Sequence, residues 1–160
     1  MIESEYLKDN LKYVERLKKI PSLEYFSEKD LKGILEMSKL RQYEPGEVIM
    51  KEGGFDSCIF FLMSGKLKVV KNDESLSILK RTGDVFGEMA LLEDLPRSAT
   101  TIAHTSVITL EINRDDFLNY IHKNSGNGVK ILLKLSRILS SRLRETDVKL
   151  KTFVSLSRWL

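Results

Sequence analysis

Between Glu44 and Ile112 the chain is a succession of short apolar or alternating segments, each closed by turn-forming residues. EVIMKE is followed by GGFD, CIFFLM by SGK, LKVV by NDES and LSILKR by TGD; TTIAHTS and VITLEI come later, the last alternating with a period of two. Segments of this kind, separated by Gly, Asn, Asp and Ser, read as β-strands joined by hairpin turns. Their even spacing restricts this part of the chain to a small sandwich, barrel or jelly roll.

Helical patterns flank the strands. Leu7, Leu11, Val14, Leu17 and Ile20 form one stripe at helical spacing, and Pro21 closes it. Ser27-Glu28-Lys29-Asp30 resembles a capping box for a second helix carried on by Leu31, Ile34, Leu35 and Met37 or Ser38. Asn113 is suited to cap a helix over RDDFLNYIHK, and NSGNG reads as a loop after it. From Val129 an apolar seam follows: Val129, Leu132, Ser136, Leu139, Leu143, Thr146, Leu150, Phe153, Ser157 and Leu160 recur at alternating steps of three and four. That is a heptad pattern. A helix of about 30 residues is roughly 45 Å long, whereas a domain of about 150 residues has a radius of gyration near 15 Å. Part of the seam is therefore expected to meet another chain, in a parallel two-stranded homodimer.

Composition narrows the functional classes. With 160 residues and 42% apolar content, the chain is expected to be one globular domain. The only cysteine, Cys58, excludes an intramolecular disulfide and any cysteine-rich metal site. The longest apolar run, CIFFLM, is far too short to span a membrane, and MIESEYLKDN lacks a signal-peptide core. A cytoplasmic protein with no membrane association is expected. His104 and His122 have no acid or thiol neighbours in sequence, and no nucleophile–base pair stands out. Neither catalysis nor a bound metal or cofactor is expected. Residues 130–160 hold eight Lys/Arg against two Asp/Glu. This is either a solvated helix face or a surface for an acidic partner or nucleic acid.

The stretch GEMALLEDLPRSATT, residues 87–101, places Arg97 among small residues nine positions after Glu88. Arginine is suited to a phosphate or carboxylate. A helical turn over residues 88–94 would favour an anion at Gly87, where the absence of a side chain allows close approach. A carboxylate beside that anion needs a different task, and accepting a hydrogen bond from a sugar hydroxyl suits Glu88. These needs together describe a phosphate joined to a ribose with a free 2′-hydroxyl. A Glu88–Arg97 salt bridge that pins the loop accounts for the same spacing equally well.

FGEMALLEDLPRSATT closely resembles the phosphate-binding cassette of the cyclic nucleotide-binding domain family, which includes the bacterial catabolite activator, protein kinase A regulatory subunits and cyclic nucleotide-gated channels. YEPGEVIMKEGG and FFLMSGKLKVVK resemble the family's early barrel strands, and GDVFGE the opening of its cassette. INRDDFLNYI and LLKLSRILSSRLRETDVKL resemble its helices after the barrel. The resemblance implies an α+β fold: a β jelly-roll barrel flanked by N-terminal helices and a long C-terminal helix. The implied division is a helical segment at 1–42, a barrel at 43–112 with its cassette at 83–101, and C-terminal helices at 113–160, the dimerisation helix starting near 129.

By the same resemblance, Glu88 takes the ribose 2′-hydroxyl and Arg97 the cyclic phosphate. Backbone amides at Gly87, Met89 and Ala90 and around Ser98 and Ala99 complete the cradle. Ser98 suits cyclic AMP or cyclic GMP, and Thr146 falls where the activator presents a threonine to adenine; the balance favours cyclic AMP. Asp147 departs from the serine that the activator supplies across its dimer. The implied function is a sensor that signals through its C-terminal helix to a downstream protein. One alternative is the ligand-sensing portion of a longer transcription regulator; another is a dimeric interaction domain that no longer binds nucleotide, against which the presence of both Glu88 and Arg97 argues. Cyclic dinucleotides also stay open as ligands. No recognition helix follows, so direct DNA binding is not expected from these residues.

Overall fold

A computed structural model of the protein describes residues 2–4, 11–20, 23 and 26–158. Its described strands form two antiparallel sheets. The five-stranded sheet runs in the order β1 (Ile2–Ser4), β2 (Ser38–Tyr43), β9 (Val107–Asn113), β4 (Cys58–Ser64), β7 (Val85–Phe86). The four-stranded sheet runs β3 (Val48–Met50), β8 (Thr100–Ala103), β5 (Leu67–Lys71), β6 (Glu74–Leu79). Tyr43, Phe60, Leu62, Phe86 and Val107 of the first sheet form one core cluster with Met50, Leu67 and Ala103 of the second. Phe60 and Phe86 stack within it, their ring centroids 4.8 Å apart. With its flanking helices this is the jelly-roll barrel expected from the sequence.

CIFFLM is continuously apolar because β4 is covered on both faces: every residue from Ile59 to Met63 is buried. At the β5–β6 turn, Asn72 and Asp73 both take positive φ, 49° and 63°, as a tight hairpin requires. Helices α1 (Leu11–Lys18) and α2 (Glu28–Glu36) pack together, with Val14, Leu17, Leu31, Ile34 and Leu35 buried. The capping box of α2 is formed: Ser27 accepts from the Asp30 amide at 3.2 Å, and Asp30 accepts from the Ser27 amide at 3.0 Å. Asn113 caps α4 (Arg114–Lys123), accepting from the Asp115 amide at 2.9 Å. Leu7 and Pro21 lie outside the described residues.

Three expectations need correction. The first sheet begins before residue 43, because β2 carries the mixed sequence SKLRQY and β1 pairs with it. Helix α2 accordingly stops at Glu36, and the buried Ser38, whose hydroxyl donates to the Ile34 carbonyl, opens the strand. VITLEI does not alternate in burial: β9 is a central strand, covered on both faces over most of its length. The NSGNG segment is largely helix, since α5 runs Ser125–Ser157. Gly128 permits this, for a Cβ there would stand 2.5 Å from the Ile121 side chain.

The chain divides into two compact units, residues 1–120 and 121–160. In the second, Gly128, Ile131 and Leu135 are buried, while every residue from Leu143 to Arg158 is exposed. No helix among the described residues is long and apolar enough to cross a membrane.

Candidate functional site

The cassette leaves the first sheet at β7. Gly87 takes φ +72°, and a Cβ there would meet Arg97 Nη1 and the Cys58 carbonyl at 2.9 Å. Glycine is needed on both counts. Glu88 follows, only 7% exposed, at the head of the short helix α3 (Met89–Leu92). The turn is closed by Leu91 N–H donating to the Glu88 carbonyl at 3.1 Å and by Ala90 N–H donating to Gly87 at 3.3 Å.

Arg97 is 6% exposed and tightly held. Its Nε donates to Asp56 at 3.0 Å, and Nη2 donates to the other oxygen of the same carboxylate. Nη2 also donates to the Cys58 carbonyl at 2.6 Å, and Nη1 to the Gly87 carbonyl at 3.0 Å. The guanidinium carbon lies 5.7 Å from the Phe60 ring centroid. The backbone is clamped too: Arg97 N–H donates to Gly54 at 2.8 Å, and Gly53 N–H donates to Arg97 at 2.9 Å. These four side-chain bonds use four of the five N–H donors of a guanidinium, leaving one Nη1–H for an incoming acceptor.

Asp56 was not among the residues nominated from sequence. GGFD reads locally as a turn, and its pairing with a residue 41 positions away leaves no trace in a single sequence. Its carboxylate offsets the cost of burying a lone arginine charge.

Cys58 connects the cassette to a polar wall inside the barrel. Its carbonyl serves Arg97, while its residue lines a cavity of about 190 Å³ shared with Lys39, Arg41, Glu111, Asn113 and Asp116. Burial, with the Glu111 and Asp56 charges, pushes the Cys58 thiol up from its ordinary range. The buried Glu111 accepts hydrogen bonds from the Tyr43 phenol and, at 3.1 Å, from Thr109, and lies 3.3 Å from Arg41 Nε. Burial, and then Glu111, push the Tyr43 phenol far above its usual value.

A pH dependence follows. A folded pKa raised above the unfolded value of about 10 gives stability that is complete below pH ~10 and lost as pH climbs past it. Denaturant midpoints between pH 8 and 11 should show this decline. Tyr43→Phe should flatten the decline and cost about 1–2 kcal/mol at pH 8 by taking a donor from Glu111; an unchanged slope would remove Tyr43 from the titration.

The structure brings Gly87 to Ala90 and Arg97 to Ala99 into one neighbourhood. The Ser98 hydroxyl lies 3.9 Å from Met89 Sδ, and Ala99 is buried. Thr146 belongs to the second unit, exposed on α5, with its hydroxyl donating to the Arg142 carbonyl at 2.9 Å. His104 and His122 are both exposed. Among the described residues no group of three His, Cys, Asp or Glu could hold a metal ion.

Known proteins identify the class. The profile of the cyclic nucleotide-binding domain matches residues 40–124, just over half of the chain. The chain belongs to the cyclic nucleotide-binding domain family. It is 37% identical over 109 residues to a cGMP-dependent protein kinase of Plasmodium berghei, an alignment covering 68% of this chain and 12% of the kinase. It is 33% identical over 107 residues to a cAMP-dependent protein kinase regulatory subunit of Debaryomyces hansenii, covering 67% of this chain and 24% of the subunit. A cyclic nucleotide-binding domain from Methylobacillus flagellatus has the same fold, with a TM-score of 0.79 at 21% identity over 86% of this chain and 82% of that one. The chain thus spans less than a quarter of the two sequence relatives' own lengths.

Proposed function

We propose that the protein is a cyclic nucleotide sensor rather than an enzyme, holding cyclic AMP or cyclic GMP on the cassette and signalling by movement of its C-terminal helix. The observation that carries this reading is Arg97: a buried guanidinium oriented by Asp56 and the Gly87 carbonyl, nine residues from a buried Glu88. Arg97 meets the cyclic phosphate, and Glu88 accepts from the ribose 2′-hydroxyl. The backbone at Gly87, Met89 and Ala90 and at Ser98 and Ala99 lines the cradle, and Thr146 faces the base. Ser98 and Thr146 favour cyclic AMP. The names of the relatives above support either nucleotide. In this reading residues 43–112 carry the ligand and 113–160 carry the output, as a homodimer acting on a downstream protein, away from DNA and membrane, in the cytoplasm. Nucleotide shifts the helix only by binding one arrangement more tightly than the other.

Titration calorimetry of nucleotide-stripped protein with cyclic AMP, cyclic GMP and cyclic di-GMP tests this. Binding of one cyclic mononucleotide at micromolar affinity or better is expected. Glu88→Gln should weaken it about ten-fold through loss of a charge-assisted hydrogen bond. Absence of heat with all three would leave the dimeric interaction domain as the reading.

A further inference from the structure

Thr101 is 1% exposed, and its hydroxyl has no hydrogen-bond partner among the described residues. Other buried hydroxyls of the barrel are satisfied: Ser38 donates to the Ile34 carbonyl, and Tyr43 and Thr109 donate to Glu111. The neighbouring Thr100 accepts from the Glu52 amide at 2.9 Å. A hydroxyl taken out of water without a partner opposes folding, and a valine of the same outline would avoid that cost. Packing alone gives no reason for a threonine here.

Its place in the fold supplies one. From Arg97 onward burial alternates along the chain: Arg97, Ala99, Thr101 and Ala103 are buried, while Ser98 is exposed and Thr100 and Ile102 are half-buried. Ala103 belongs to the core cluster between the sheets, so Thr101, two residues earlier on β8, faces the same interior. Across the sheet it pairs with Val69 of β5 and Met50 of β3, both with apolar side chains. The inward face thus leads from Arg97 to an unused donor and acceptor four residues further on.

We infer that Thr101 is a specificity residue of the cassette site, its hydroxyl hydrogen-bonding the base of the bound cyclic nucleotide. The inference rests on the cyclic nucleotide reading given above. In that reading Arg97 takes the phosphate and Glu88 the ribose, so the polar atoms of the base are what the barrel wall has left to bond. A hydroxyl both donates and accepts, and so pairs with an amino group, a ring nitrogen or a carbonyl. Adenine and guanine differ in those groups, and a buried hydroxyl aimed at one of them discriminates between the two. Reaching it takes a side-chain movement, which the unbranched Met50 allows.

Titration calorimetry of cyclic AMP and cyclic GMP against wild type, Thr101→Val and Thr101→Ser tests this, with melts of the nucleotide-free proteins alongside. Thr101→Val should melt at or above the wild-type temperature, bind the preferred nucleotide roughly ten-fold more weakly and narrow the preference between the two. Thr101→Ser keeps the hydroxyl and should keep most of the affinity and the preference. Unchanged affinity in Thr101→Val, an equal loss for both nucleotides, or a loss in Thr101→Ser as large as in Thr101→Val would each overturn the inference. So would a lower melting temperature of nucleotide-free Thr101→Val, which would reveal that the hydroxyl already has a partner there. Wild type that binds neither nucleotide would remove the cyclic nucleotide reading itself. Wild type that binds, with Thr101→Val binding equally well, would leave that reading intact and remove only the role of Thr101.

Discussion

Replacing Arg97 by alanine should reduce cyclic nucleotide affinity by about 2–5 kcal/mol, from some thirty-fold to several thousand-fold, because the phosphate loses its buried counter-charge. The magnitude is large because Arg97 does not have to be ordered when ligand arrives. Asp56, the Cys58 and Gly87 carbonyls and the face of Phe60 already fix its plane. Arg97→Lys should recover little, since an ammonium cannot span Asp56 and the carbonyls while presenting another N–H to the phosphate. Glu88→Gln should lose less than Arg97→Ala. Calorimetry on both variants, with thermal melts to confirm folding, decides the matter; unchanged affinity in Arg97→Ala would remove this residue from the site.

The second large effect lies in the barrel. Gly65 and Gly46 have nearly the same backbone conformation, φ +92° and +90°, in opposite surroundings. A Cβ on Gly65 would stand 2.3 Å from the Ser106 carbonyl oxygen and 2.9 Å from Val107 Cα, whereas one on Gly46 meets nothing within 4 Å. Gly46→Ala should therefore cost only left-handed strain, about 1–2 kcal/mol. Gly65→Ala adds a collision with backbone that has no rotamer to move, and should cost about 3 kcal/mol or more, lowering Tm by roughly 10 °C. Equal melting temperatures for the two variants would mean that the β4–β5 turn relaxes more freely than its packing suggests.

The strands over 44–112 were readable because their turn residues punctuate the chain, and the capping box of α2 because its two side chains are local. What sequence reading missed has a common cause. SKLRQY became β2 because β1 and β9 lie on either side of it, not through its own apolar content. Glu111 broke the expected alternation of β9 because Tyr43, Thr109 and Arg41 make a buried carboxylate tolerable there. In the site, Glu88 and Arg97 were legible as residue types at a spacing, but the carboxylate gripping Arg97 by Nε and Nη2 comes from the β3–β4 loop, 41 positions away in sequence. Partners supplied by distant segments leave no periodicity to read.

Residues 143–157 of α5 are exposed on every face. A lone helical segment of about fifteen residues is marginal in water. With the homodimer proposed above, its order becomes a matter of mass action: the abundance of the chain sets how much of the output element exists to be moved. A cell could then alter the response by making more or less of the protein at constant nucleotide, so that the sensor answers to two concentrations, the ligand's and its own.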